Sequence, residues 1–379
     1  MSAVRFVFAL LLSLVAVLVF ISAPTLFLWQ LKLAATEYGH WMVLAALAVV
    51  LAGRRRSVLD SVSVILAILA GLAFLSSSLR AMLYASTAAS KMNVAFPVVP
   101  SAAKSEPFSL FRLWTGGKPA PVEVQTFDYA THDDAALQLD FYGAQNRSTP
   151  APCVVVLPGG GWEHGDRLEF ATMNHYLAQK GYSVAAISYR LAPKSTWPAQ
   201  QEDLIAALGY LRAHAGELNL DPERFVLFGR SAGGQIVEAI AAPAKQPGIV
   251  GCIAFYAPAD MQFAYKYAKR TDILNSEKLL KQYLGGTPTD MADSYDDASG
   301  YLHVNPKTPP TLLLHGADDE LVWVQQSQRY SDRLRSNEVR QVFLRLPWAT
   351  HAFDYNFNGP GGQLAAWAVE RFLASVTGA

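Results

Sequence analysis

The sequence predicts an α/β fold, a doubly wound and mostly parallel sheet preceded by about three transmembrane helices. Three observations carry this. From residue 121 to 379, short apolar runs alternate with helical stretches, as strands buried on both faces alternate with crossover helices. Before that, residues 1–85 are overwhelmingly apolar. Between an apolar run and a helical stretch stands Gly229-Arg230-Ser231-Ala232-Gly233, a G-x-S-x-G pentapeptide in the strand, sharp turn and helix setting that exposes a nucleophilic serine.

Composition narrows the function classes. The chain has 379 residues with 31 basic and 31 acidic side chains, a formal net charge of zero. No basic stripe with interleaved aromatics is present, so nucleic acid is not an expected partner. Two cysteines, Cys153 and Cys252, are too few for a disulfide scaffold or a zinc site. Both stand in apolar runs and read as small buried core residues. No H-E-x-x-H occurs, and neither a metal nor a cofactor is expected.

The apolar half-domain is read from its start. No charge falls between Arg5 and Lys32, and residues 6–31 exceed the ~20 needed to span a bilayer. Pro24 follows the one small-residue motif that resembles a signal cleavage site, so an uncleaved span is expected. A second, shorter run covers residues 38–53 and a third covers 61–79. Small residues in the third (Ser61, Ser63, Gly71, Ser76) suit helix contacts in lipid. Arg54-Arg55-Arg56, just before the third run, is assigned to the cytoplasm by the positive-inside rule. The rest of the chain is then expected outside it, on the periplasmic side of a bacterial-type inner membrane. Residues 86–120 read as a linker or neck, apart from an amphipathic stretch at 108–114 that either lies on the membrane or packs on the domain.

In the domain at 121–379, the alternating stretches 122–127 and 137–142 predict an antiparallel pair of strands. The continuous apolar runs 153–157, 182–187, 225–228, 249–256, 311–314 and 342–346 predict buried parallel strands. Helical patterns at 198–214, 235–242, 322–335 and 362–375 supply crossovers. Residues 259–310 exceed a simple crossover and are expected to contribute a cap over the site.

A serine hydroxyl needs a base, and the base needs an acid to fix its tautomer. Both follow Ser231 in the order Ser, Asp, His. Two candidates for the acid, Asp318 and Asp319, lie just past the strand at 311–314. His351 follows the last strand after a short turn and is the candidate base, whereas His315, at a strand end, reads as buried and structural. Gly159-Gly160-Gly161 offers unshielded backbone N–H groups for a tetrahedral oxyanion, with the N–H of Ala232 as a further donor.

These residues resemble the α/β-hydrolases, in particular the acetyl-esterase and hormone-sensitive-lipase-like branch with its feruloyl-esterase-like carboxylesterases. The resemblance rests on Pro158-Gly159-Gly160-Gly161-Trp162, Ser188-Tyr189-Arg190-Leu191-Ala192-Pro193, Trp197-Pro198-Ala199 with Asp203, Asp221-Pro222-Glu223-Arg224, the serine pentapeptide, and His315-Gly316-Ala317-Asp318-Asp319. It implies Ser231 as nucleophile, Asp319 as acid and His351 as base. It also implies Gly160, Gly161 and Ala232 as oxyanion donors and Arg190–Asp203 as a structural ion pair. The chain departs from the family at Pro158, where histidine is usual, and at Arg230, where a polar or acidic residue is usual. Trp162 and Arg230 are candidate substrate contacts, Arg230 being alternatively a structural partner of a carboxylate such as Glu163. The expected protein is a membrane-anchored serine esterase for short to medium acyl esters, with a small-molecule or lipid ester as partner. A kynurenine-formamidase-like amidase, an envelope lipid deacylase or lipase, and an inactive hydrolase fold kept for binding are the alternatives.

Overall fold

Among the described residues, eight strands form one sheet in the order β1-β2-β4-β3-β5-β6-β7-β8. The computed structural model describes residues 2–52, 57–97, 106–132 and 135–378. The strands are β1 (Val124–His132), β2 (Ala135–Tyr142), β3 (Ala151–Leu157), β4 (Ser183–Ile187), β5 (Leu220–Arg230), β6 (Ile249–Phe255), β7 (Thr311–Gly316) and β8 (Gln341–Leu346). β2 runs antiparallel to both β1 and β4, and every other pairing is parallel. The β1–β2 pair meets the alternating residues expected to form it. The parallel strands read as unbroken apolar runs because both faces are covered. Val154, Val226 and Leu312 face one core layer, while Val155, Leu227 and Cys252 face the other. The first layer packs on the helices Ala171–Gln179 and Pro360–Thr377, the second on Ala199–Ala213 and Ala232–Ala241. Cys153 and Cys252 are buried free thiols in this core.

The N-terminal region differs from the expected three spans. Its helices are α1 (Ser2–Val17), α2 (Leu26–Glu37), α3 (Gly39–Leu51) and α4 (Val58–Ala95). The run at 6–31 is broken between α1 and α2, where Pro24 denies the helix a backbone donor. The second half of that run is α2, whose Lys32, Thr36 and Glu37 are buried. α2 and α3 meet at 84°. Among the described residues, α4 alone is long and apolar enough to cross a membrane, or two segments are if the bent pair counts as one. Arg54, Arg55 and Arg56, which set the expected orientation, lie outside the described residues.

One end of this bundle is marked by Arg5. Its Nε donates to Val49 O at 2.9 Å, Nη2 donates to Val50 O at 3.1 Å, and Nη1 lies 3.9 Å from Asp60 Oδ1. The start of α1, the end of α3 and the start of α4 therefore share that end. At ~1.5 Å per residue α4 is about 57 Å long, well beyond a ~30 Å hydrocarbon core. Its far end docks on the domain. Ala88, Met92 and Phe96 join the core layer under the helix Pro360–Thr377, with the Phe96 and Phe372 rings 4.9 Å apart. The stretch 86–120, read as a neck, thus begins as continuous helix. The amphipathic stretch within it forms the helix Leu110–Thr115 and packs on the domain, with Phe108 and Leu113 buried in the same layer. Trp114 meets the rings of His40 and Trp41 at 5.2 and 5.3 Å.

Candidate active site

β5 ends at Arg230 and the next helix begins at Ala232, so Ser231 forms the whole turn between them. Its backbone stands at φ 50°, ψ −119°, a conformation costing ~1–3 kcal/mol for a residue with a side chain. The flanking glycines permit it by close approach. A Cβ on Gly229 would lie 2.2 Å from Gly233 O, and one on Gly233 would lie 2.3 Å from Pro158 O. The Ser231 N–H donates to Phe255 O at 2.9 Å, fixing the turn to the end of β6.

The loop after β3 lies beside this turn. A Cβ on Gly159 would stand 3.4 Å from Ser231 Cβ. Gly160 and Gly161 have φ of 96° and 59°, which glycine adopts without cost. The N–H of Ala232 belongs to the first turn of its helix, where no intrahelical acceptor exists. Tyr189 braces this loop. Its buried hydroxyl donates to the carbonyls of Pro158 and Gly159, each at 3.2 Å. Trp162 continues the loop at φ 61°, stacked on Tyr283 with centroids 4.3 Å apart and donating from Nε1 to Gln235 Oε1 at 3.0 Å.

Asp319 and His351 meet at the C-terminal ends of β7 and β8. His351 Nδ1 lies 2.7 Å from Asp319 Oδ2. Oδ1 accepts the N–H groups of Leu321 and Val322 at 2.9 Å each, and His315 Nε2 stands 3.2 Å from Oδ2. Burial alone would raise the Asp319 carboxyl. The charge of His351 and the hydrogen bonds from His315 and His351 outweigh it and hold the group well below the usual carboxylate range. His315 is itself fully buried, with Nδ1 2.7 Å from Ser327 Oγ and Nε2 3.0 Å from Val322 O. The Tyr256 ring, next in sequence to the acceptor of the Ser231 N–H, lies 4.3 Å from the His351 ring.

Arg230 corrects the expectation of a substrate contact. It is 1% exposed, and its Nε donates to Asp354 Oδ2 at 2.6 Å, while Tyr256 Oη donates to Asp354 Oδ1 at 2.6 Å. Its partner is Asp354, not Glu163. The guanidinium is held over the rings of Phe228 and Phe170 at 4.3 and 4.4 Å. The strand-end arginine turns away from the cavity because the aromatic layer and a buried carboxylate lie behind it. Arg190 pairs with Asp203 as expected, Nε to Oδ1 at 2.8 Å and its own N–H to Oδ2 at 2.8 Å. Sequence reasoning missed Tyr189 and Asp354. Tyr189 stood within the Ser188–Pro193 motif, and Asp354 only three residues after His351.

Ser231, Ala232, Gly161, Trp162 and Asp319 open on one cavity of about 370 Å³. The segment expected to form a cap does line it, with Phe263, Tyr267 and Leu279 from that segment facing Leu321 and Trp323. The volume is at the lower end of the ~300–1,000 Å³ usual for small-molecule sites. Among the described residues no cluster of three or more metal-ligating side chains occurs.

The BD-FAE family model matches residues 139–334, slightly more than half of the chain. The chain is 34% identical over 243 residues to the probable carboxylic ester hydrolase LipM of Mycobacterium tuberculosis, covering 60% of this chain and 54% of that protein. It is 30% identical over 263 residues to the esterase LipC of the same organism, covering 64% and 63%. The chain thus spans about half to two thirds of the length of these relatives. A bacterial heroin esterase structure superposes with a TM-score of 0.56 at 23% identity, over 65% of this chain and 84% of that one. An arylesterase structure superposes at 0.58 and 19% identity, over 74% and 99%. These structural likenesses bear on the fold. Together with the mixed sheet and the serine turn, the family match shows that this chain belongs to the BD-FAE family of α/β-hydrolases, in the hormone-sensitive-lipase-like esterase branch.

Proposed function

We propose that the chain is a serine hydrolase that cleaves carboxylic esters of short to medium acyl groups through an acyl-enzyme intermediate. The observation that carries this is the 2.7 Å Asp319–His351 hydrogen bond, whose aspartate lines the same apolar cavity as a serine held at positive φ. Asp319, a carboxylate with several donors, accepts the His351 Nδ1–H and leaves Nε2 with its lone pair. His351 takes the Ser231 proton as Oγ attacks the acyl carbon. The N–H groups of Gly160, Gly161 and Ala232 receive the oxyanion, and His351 returns the proton to the leaving alkoxide. Water then repeats the cycle on the acyl-enzyme.

Attachment to a membrane through α4, with the catalytic domain outside the cytoplasm, is part of the same proposal. Two features support it. α4 is apolar over a membrane-spanning length, and the domain docks at the end of the bundle opposite Arg5. A lipid-borne ester is a second reading, favoured by the contact between the cavity-lining Glu320 and the α1–α2 connection, where Ala23 N–H donates to Glu320 Oε1 at 3.3 Å.

The test is turnover of p-nitrophenyl esters of increasing acyl length by the full chain in detergent micelles. The proposal expects kcat/KM to peak at short to medium chains. A rising profile that peaks at long chains favours the lipid-borne reading. Turnover of N-formyl or other amides with none of esters would contradict both.

A further inference from the structure

The N-terminal helices do more than lie beside the domain. Glu320 directly follows the candidate acid Asp319, and Thr350 directly precedes the candidate base His351. The two are joined, with Thr350 Oγ1 donating to Glu320 Oε2 at 2.6 Å. α2 and the connection before it close on this joint. Lys32 Nζ, 2% exposed, donates to Glu320 Oε1 and also to Ile21 O at 3.2 Å. Ala23 N–H donates to Glu320 Oε1 at 3.3 Å, and Trp29 Nε1 donates to Thr350 Oγ1 at 3.1 Å. Four hydrogen bonds from residues 23–32 or within the joint thus bind the loop after β7 to the loop after β8. A half-buried carboxylate one residue from the acid is thus neutralised by a buried cation from α2.

We propose that Lys32 and Trp29 of α2 are positioning residues for the Asp319–His351 pair, so that the N-terminal region is an integral part of the catalytic frame. This rests on the serine-hydrolase reading above. The titratable groups at the joint are Lys32 from α2, Asp319, Glu320 and His315 from β7 and its loop, and His351 from the β8 loop, with Tyr256 after β6 facing the His351 ring and Asp354 and Arg230 behind it. Loss of Lys32 leaves the Glu320 charge without its counter-ion. An unpaired negative charge favours the protonated form of a nearby imidazole.

The experiment is the rate of Ser231 labelling by a fluorophosphonate probe against pH, on the full chain in detergent. The variants are Lys32→Met, Trp29→Phe, and Lys32→Met with Glu320→Gln. Lys32→Met is expected to slow labelling at neutral pH about tenfold and to move the acid limb upward by about half to one pH unit. The double variant removes the stranded charge and should return the limb to its wild-type position. Trp29→Phe keeps an aromatic ring, though a smaller one, and loses one donor, so a loss of about threefold is expected. A merely structural role would change stability and leave the limb unmoved. Wild-type rates and limb in both single variants would overturn the inference, as would a shift that persists in the double variant. A wild-type chain that the probe does not label would instead refute the serine-hydrolase reading, and this inference with it.

Discussion

Asp354→Asn tests how the nucleophile turn is tied to the base loop. Arg230 immediately precedes Ser231 and Asp354 follows His351 by three residues, so their ion pair joins the two segments. Both side chains are essentially inaccessible, at 2% and 1% exposure. Removing one partner of a buried pair typically costs ~3–5 kcal/mol because the other charge is stranded. Asn at 354 still accepts from Tyr256, so that hydrogen bond survives. The rings of Phe228 and Phe170 also remain against the guanidinium, and such contacts are worth up to ~2 kcal/mol when desolvated. The expected loss therefore sits at the lower end, about 3 kcal/mol. At ~2–4 °C per kcal/mol for a domain of this size, Tm should fall by about 6–12 °C. Thermal unfolding of the full chain in detergent, followed by tryptophan fluorescence, reads it. Adding Arg230→Met should recover at least half of the loss, since the stranded charge is gone. A single variant within about 1 kcal/mol of wild type, or a double variant no more stable than the single, would refute the reasoning.

Tyr189→Phe removes the donor that holds the Pro158 and Gly159 carbonyls. It should lower kcat about tenfold with little change in KM, less than the ~100-fold or more of a lost oxyanion donor; an unchanged kcat in steady-state assays counts against a role in shaping the loop. Asp319→Asn should lower kcat by about four orders of magnitude. Because the folded carboxyl is held below its unfolded value of ~3.9, its stabilisation is present above that pH and is lost as pH falls toward the folded value. The stability gap between wild type and Asp319→Asn should accordingly shrink below about pH 4 in urea titrations. Glu238 has both carboxyl oxygens buried without a partner, and burial pushes it well above the usual range. Folding then binds a proton at neutral pH, so stability falls as pH rises above ~4.3. Glu238→Gln should raise Tm more at pH 8 than at pH 5, and a gain independent of pH would show that Glu238 is ionised in the folded chain.

The parts of the site that were legible in the sequence are those set by local backbone demands. The serine turn needs Gly229 and Gly233 because a Cβ at either would collide with backbone oxygen, and that requirement is written within five residues. Asp319 and His351 each follow a strand whose apolar run is continuous, so their place at the sheet's C-terminal edge is read directly. What stayed hidden depends on partners far away in the chain. Arg230 meets Asp354 across 124 residues, and Lys32 meets Glu320 across 288. Hydropathy also misled at residues 6–31. The run is apolar enough for one span, but Pro24 breaks it, and α2 then buries Lys32 and Glu37 against the domain. A hydrophobic average does not distinguish a helix facing lipid from one facing a protein surface. The end of α4 was hidden for a related reason. Its alanines and serines from Ser86 onward read as a linker, yet small side chains are what allow the helix to lie close on the core layer.

The most direct test of the central claim is the hydrolysis of p-nitrophenyl butyrate by the full chain beside its Ser231→Ala variant, both confirmed folded by their unfolding transitions. Wild-type turnover that falls by at least about a thousandfold in the variant, without loss of stability, is the predicted result. Equal rates in the two proteins would contradict the assignment of Ser231 as the nucleophile.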